Sequence, residues 1–214
     1  MDPILLLDTA VSMQSTLGSA KTITGISAAA EAVITGTHDF DIGDFIVIDG
    51  VVGMVEINKR VVRVKSVSTT VSFVAEGLDS TGFTAYASGG TATQVTAFTA
   101  FDNSTSFNYP EPAPTRIDVT TVHDTQKKEI FGLDEAPVIT MNVLADPTGT
   151  NMAAVKTAAL AKTTRAFKVV LQDGTVLIFN AYVAGGRGLD GSAGAVATGS
   201  VSLTLAAPEQ YFTS

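Results

Sequence analysis

Cysteine is absent from the 214 residues. That excludes a disulfide scaffold, a thiolate zinc site and a thiol nucleophile, and it leaves the compartment open. Histidine occurs only twice, as His38 and His123. Tryptophan is missing and tyrosine occurs four times, which counts against the exposed aromatic platforms expected of a carbohydrate-binding or adhesive β-domain. Charge is scarce, at 16% of residues against the usual quarter or so. It is also one-sided: 13 basic residues face 21 acidic ones, a net −8. A general nucleic-acid binder needs clustered Lys and Arg to neutralise phosphate, so that class is excluded. No stretch approaches the roughly 18 apolar residues of a membrane span. The opening Met1-Asp2-Pro3-Ile4-Leu5-Leu6-Leu7-Asp8 has no basic region ahead of its apolar run, so it does not read as a signal peptide. The expectation is a soluble protein made without an export signal.

What is abundant is β-branched. Thr (29) and Val (24) make up about a quarter of the chain, and both favour strands over helices. With so little charge and a mean hydropathy of +0.31, part of the neutral surface is expected to be buried against other subunits.

Residues 1–21 open on one apolar, strand-like run (4–7) and then turn polar. Residues 22–97 carry short strand signals separated by turns. These are the alternating 22–26, then 32–35, then 44–48 ending at an Asp49-Gly50 turn, then 60–67 with Arg and Lys alternating with Val, and finally 70–75 and 91–95. Several strands at this spacing predict a small all-β barrel or sandwich, with four basic residues against eight acidic. Residues 98–114 contain Pro110, Pro112 and Pro114 and read as a stiff surface connector.

Residues 115–214 form a second unit. Strands are predicted at 116–122 and 137–145, joined by a charged loop, 123–136. Asp146-Pro147 suits a helix start, with Asp as N-cap and Pro at the first position. The helix 151–163 then places Met152, Val155 and Ala159 on one face, with Lys156, Lys162 and Arg165 toward its C-terminal end. Strands 167–172 and 175–183 flank Asp173-Gly174, the signal for a two-residue type I′ hairpin. Pairing across it puts Phe167, Val169, Leu171, Val176 and Ile178 on one face, to pack on the helix. Lys168, Val170, Gln172, Thr175, Leu177 and Phe179 fall on the other. Neither face is clearly polar, so the second is expected to be covered or to line something. A Gly-rich mobile loop (185–195) and a last strand (198–205) follow.

Chemistry is thin. The acidic group Asp39, Asp41 and Asp44 lacks the spacing and closing Glu of a calcium loop. His123-Asp124 beside Thr120 and Thr121 reads as a loop, and Gly185-Gly186-Arg187-Gly188 lacks the Lys and helix of a phosphate-binding loop. No catalytic, cofactor or metal residue is assigned, and an enzyme is not expected.

The ordered stretch Thr164-Arg165-Ala166-Phe167-Lys168, Asp173-Gly174-Thr175-Val176, Phe179 and Val183 resembles the major tail (tail tube) protein family of long-tailed, lambda-like bacteriophages. So do Ile117-Asp118-Val119-Thr120 and Phe131-Gly132-Leu133-Asp134 upstream. In the first unit, Gly43-Asp44-Phe45-Ile46-Val47-Ile48 and Gly50-Val51-Val52-Gly53-Met54 are similar to a small β-barrel module found in phage structural proteins and in ubiquitin-activating enzymes.

The resemblance implies an all-β fold: a β-sandwich tube domain (1–21 and 98–214) with one flanking α-helix, plus an inserted β-barrel decoration domain (22–97). It implies hexameric rings stacked into a tube in the virion tail, assembled in the host cytoplasm, that conducts DNA without binding it specifically. The partners implied are the tape measure, tail terminator and distal tail (baseplate) proteins, with no membrane and no cofactor. On this reading Gln126, Lys127, Lys128, Glu129, Phe131, Asp134 and Glu135 stack one ring on the next, and Lys168, Gln172 and Thr175 face the lumen. The alternatives are the inner tube of a contractile tail, whose sheath a bulky outer domain would obstruct, and a carbohydrate-binding or adhesin β-domain.

Overall fold

A computed structural model describes residues 9–213 except 69, 112, 135, 147 and 187. The apolar run 4–7 lies outside the described residues. In chain order the strands are β1 (Ala10–Leu17), β2 (Lys21–Thr22), β3 (Gly25–Ile26), β4 (Val33–Thr35), β5 (Phe45–Val52), β6 (Val61–Ser68), β7 (Ser72–Ala75) and β8 (Ser88–Ala100). Then come β9 (Ser104–Asn108), β10 (Pro114–Asp118), β11 (Glu129–Asp134), β12 (Val138–Leu144), the helix α1 (Thr150–Ala161), β13 (Thr164–Val170), β14 (Val176–Val183), β15 (Thr198–Leu205) and β16 (Gln210–Phe212). The fold is all-β with one α-helix among the described residues, as the Thr/Val content requires.

The pairing runs β3-β4-β7-β6-β5-β8-β1-β13-β14-β15-β12-β9, with β2 also on β8 and β16 also on β14. Its first half closes on itself. β2 pairs with β8 and β3 with β4, and only Ile23 and Thr24 separate β2 from β3. One extended segment therefore joins the two ends of a six-strand path into a small barrel. Ile34, Ile46, Ile48, Met54, Val62 and Phe73 fill it. The second half curls. β8 and β9 are neighbours in sequence yet stand at opposite ends of the seven-strand path β8-β1-β13-β14-β15-β12-β9. A sheet can meet both conditions only by folding back into a sandwich. Its core holds Met13, Ile139, Met141, Phe167, Phe179 and Leu203, with Met152, Val155 and Ala158 of α1. Closure of the barrel and curling of the sandwich limit the open edges that would otherwise invite unwanted pairing.

Several expectations are corrected. β1 was hidden because it alternates apolar Val11 and Met13 with Ser12 and Gln14, and all four are buried. Ser12 Oγ donates to the Lys168 carbonyl at 3.2 Å, and Gln14 Oε1 accepts from the Ala166 N–H at 3.2 Å, so the polar pair is satisfied inside a central strand. Asp49-Gly50 is not a turn: β5 runs through it, with Asp49 opposite Thr91 and Val51 opposite Gly89. Most of the expected connector 98–114 is strand. β8 continues to Ala100, and β9 pairs with β12. Helix α1 begins at Thr150 with Gly149 at its N-cap and no side-chain cap. Asp146 instead accepts from the N–H and hydroxyl of Thr148, a local turn that competes with capping. Ala158 takes the buried position expected of Ala159, which packs at the margin of the core. The glycine loop is anchored at one point: a Cβ on Gly186 would stand 2.4 Å from Val155 of α1, so glycine permits the loop's close approach there.

The β13–β14 hairpin carries the largest correction. Gly174 N donates to the Leu171 carbonyl at 3.0 Å and Leu171 N to the Thr175 carbonyl at 2.9 Å. Gly174 has φ +84° while Asp173 has no positive φ. This is a three-residue loop, a type I turn closed by a left-handed glycine, and not the two-residue type I′ turn. The register consequently slips by one. Phe167 faces Phe179, Val169 faces Leu177, and Lys168 faces Ile178. A one-residue slip moves every side chain of β14 to the other face. Leu177 and Phe179 therefore join Phe167 and Val169 under the helix, while Val176 and Ile178 turn away from it.

Candidate functional site

The β10–β11 hairpin stands apart from the main sheet as its own two-stranded ladder. The expected charged loop 123–136 thus contains a strand, β11, and does not join two strands of one sheet. Arg116 pairs with Phe131, Ile117 with Ile130 and Asp118 with Glu129. Because directly opposed residues share a face, one face carries Ile117 and Ile130, with Val119 continuing it. The other carries Arg116, Asp118, Glu129 and Phe131, and the register shifts by a bulge beyond Phe131, before Asp134 meets Pro114.

Charges on the second face are satisfied within the hairpin. Lys127 Nζ contacts Glu129 at 2.6 Å and Asp118 at 3.9 Å, and Arg116 lies 3.5 Å from Glu129. Lys128 bridges to Asp124, which also accepts from the N–H and hydroxyl of Thr121 at 2.9 Å. The Lys127 ammonium holds Glu129 below the usual carboxylate range. Lys128 and then Thr121 do the same for Asp124. Asp118 is lowered mainly by Thr120, with a smaller pull from Lys127. His123 has no part in this network.

Apolar groups of the hairpin are not satisfied. Ile117, Val119, Val122, Ile130, Phe131 and Leu133 are all exposed, Val122 at 96%, Leu133 at 88% and Phe131 at 72%. Scattered surface apolar residues need no explanation, but six large ones on one protruding arm mark a surface made to be covered. Of the residues expected to stack rings, Gln126, Lys127, Lys128, Glu129, Phe131 and Asp134 are all exposed on this arm. Glu135 lies outside the described residues. The sequence reading picked out the charges and missed the apolar stripe Ile117, Val119 and Ile130. Its signal was the alternation in 117–119, within the expected strand 116–122, and in 129–133, where the expectation of a loop masked it.

Lys168, Gln172 and Thr175 are not brought together. Gln172 is exposed at the turn. Thr175 sits opposite Leu171, on the face away from Lys168. Lys168 is half-buried with its Nζ 4.8 Å from the Phe98 ring centroid and 6.0 Å from that of Phe45. The hairpin's second face is covered by the barrel: Ala166, Val176 and Ile178 share a small cluster with Val61, Val95, Phe45 and Phe98.

The remaining motifs stay separate. Asp39 pairs with Lys21 at 2.9 Å, and Asp44 accepts from the Asp41 N–H at 2.8 Å, closing a turn. Among the described residues no group of three His, Cys, Asp or Glu could hold a metal. No described helix is long and apolar enough to cross a membrane.

A sandwich with a fused barrel that carries six large exposed apolar side chains on one arm has a surface suited to packing against other protein. The profile of the phage tail tube protein family matches residues 52–209, well over half of the chain, and the chain belongs to that family. It is a structural protein of the virion tail. The match starts in β5 and so takes in β6, β7 and β8 of the barrel as well as the sandwich. No curated protein matches the chain.

Proposed function

We propose that six copies form a ring, that rings stack into a hollow tube, and that DNA passes through it on ejection. The observation that carries the stacking is the exposed apolar arm β10–β11. Its six apolar side chains gain about 25 cal/mol for each Å² removed from water, and on this reading the surface that removes them belongs to another subunit. The arm's ion pairs are already made internally, so they shape it and leave the apolar groups to supply adhesion. Exposed charged pairs would add little in any case. The net −8 suits a conduit, because an acidic lumen repels phosphate and lets DNA slide. Of the three residues expected to face the lumen, only exposed Gln172 enters this proposal unchanged.

The division into a tube domain (1–21 and 98–214) and an outer barrel (22–97) belongs to the same proposal. It is supported by the separate cores of the two regions and by the closed hydrogen-bond circuit of the barrel. Subunits would assemble in the host cytoplasm, and the tube's ends and interior would meet the tape measure, tail terminator and distal tail proteins. Electron microscopy of purified protein tests this. Wild-type chains should give rings or tubes, and Phe131→Asp with Leu133→Asp should give folded, soluble subunits that do not polymerise. Uniform wild-type monomers, or full-length tubes from the double variant, would overturn it.

A further inference from the structure

Barrel and sandwich meet at a small third cluster, and the C-terminal strand is part of it. β16 lies just past the family match, which stops at residue 209. It pairs only with the first half of β14, Phe212 opposite Val176 and Gln210 opposite Ile178. The second half of β14 pairs with β15. This register turns Phe212 away from the sandwich core and toward the barrel. There it is 4% exposed, clustered with Val61 and Val95 from the barrel side and Ala166 and Ile178 from the sandwich.

Arg63 of β6 reaches the same strand in two ways. Its guanidinium stands 4.4 Å from the Phe212 ring centroid, and its Nη2 donates to the Thr213 carbonyl at 3.3 Å. Glu76 aims it: Arg63 Nε donates to Oε2 at 2.5 Å and Nη2 to Oε1 at 2.7 Å. A fork held at its edge by a carboxylate keeps its flat face for a ring. The rest of the joint is poorly matched. Both amide atoms of Asn180 and Oε1 of Gln210 are buried without a hydrogen-bond partner, and each such group weakens the contact it lies in.

We propose that β16 is a strap that sets the orientation of the barrel on the sandwich, with Arg63 as the positioning residue that anchors it. Phe212 belongs to neither large core, so both cores fold without the strap. The inference rests on the single chain and does not depend on rings or stacking.

The test uses the full chain under conditions that keep it monomeric, with Phe212→Ala, Arg63→Ala and Arg63→Lys compared with wild type. Lysine keeps the charge and loses both the fork and the flat face. Amide exchange at 176–178 should speed up by about tenfold or more in all three through local opening. Exchange at Ile139, Met141, Ile46 and Ile48 should stay at the wild-type rate, and the radius of gyration from X-ray scattering should rise. Unchanged exchange at 176–178 would overturn the proposal. So would loss of protection in both cores together, which would make β16 an integral part of the fold. Failure of the tube reading would leave these monomer measurements unaffected.

Discussion

Two hairpins in this chain are made of similar residues and have opposite fates. β13–β14 is buried on both faces: one packs under α1 with Phe167 and Phe179 stacked at 5.6 Å, the other lies against the barrel. β10–β11 is covered on neither face, although it carries Ile117, Ile130, Phe131 and Leu133. Both carry β-branched and aromatic residues, and the second is the richer in charge, with Arg116, Asp118, Glu129 and Asp134 against Arg165 and Lys168 in the first. The difference lies in what stands opposite. The first hairpin is central in a sheet that curls around a helix, while the second follows a proline-containing connector that takes it off the sheet before it can pair. Hydrophobic side chains become core or interface according to the surface offered to them.

Truncation should separate the two most sharply. Phe179→Ala removes a fully buried ring and is expected to cost about 3–5 kcal/mol in chemical denaturation. Phe131→Ala should stay within about 0.5 kcal/mol of wild type as a monomer while lowering the yield of assembled tubes. Equal destabilisation by the two would erase the distinction. Next in size is the turn. Gly174→Ala places a Cβ at φ +84° and should cost about 1–2 kcal/mol, visible as a lower denaturation midpoint with an unchanged slope. A neutral result would mean that the loop can relax to a form with no left-handed residue at 174.

A smaller effect is expected at Lys168. Lys168→Ala removes an ammonium from over Phe98, worth about 0.5–1 kcal/mol at a half-exposed site. The loss should disappear in a Phe98→Leu background, so a double-mutant cycle checks it. The smallest effect is local and set by pH. Glu129, Asp124 and Asp118 titrate below their ordinary values in the folded arm. Their contribution is therefore complete above the unfolded values and fades as pH falls through the folded ones. Amide protection in β10–β11 should decline as pH drops below the ordinary glutamate value of 4.5, while protection in the β12–β15 ladder, whose strands carry no carboxylate, holds over the same range. Parallel decline in both ladders would show that the arm's charges do not act locally.

Much of this architecture is readable one element at a time. The strands β4, β6, β7, β12 and β15 follow from alternation, and α1 from an Ala-rich run with apolar residues at helical spacing. The elements that escaped have specific reasons. β1 buries Ser12 and Gln14, so its polarity imitates surface. β9 and β11 lie in stretches whose proline and charge suggest loop. The arm's charged residues were legible because charge clusters stand out in sequence. Its apolar stripe was not, because nothing local tells an exposed isoleucine from a buried one.

Taken alone, the amino-acid sequence determined the class of the fold, the single helix among the described residues, the acidic balance and the place, though not the type, of the turn at Asp173-Gly174. These depend on dihedral preference, residue count and short-range periodicity, all of which are local. Tertiary structure decided the register of β14, the closure of the barrel by residues 21–26, the return of β9 beside β12, and the exposure of the β10–β11 arm. Each of these turns on one residue of loop length or on which distant surface arrives opposite, and a period-2 pattern fits either face equally well until the partner strand selects one.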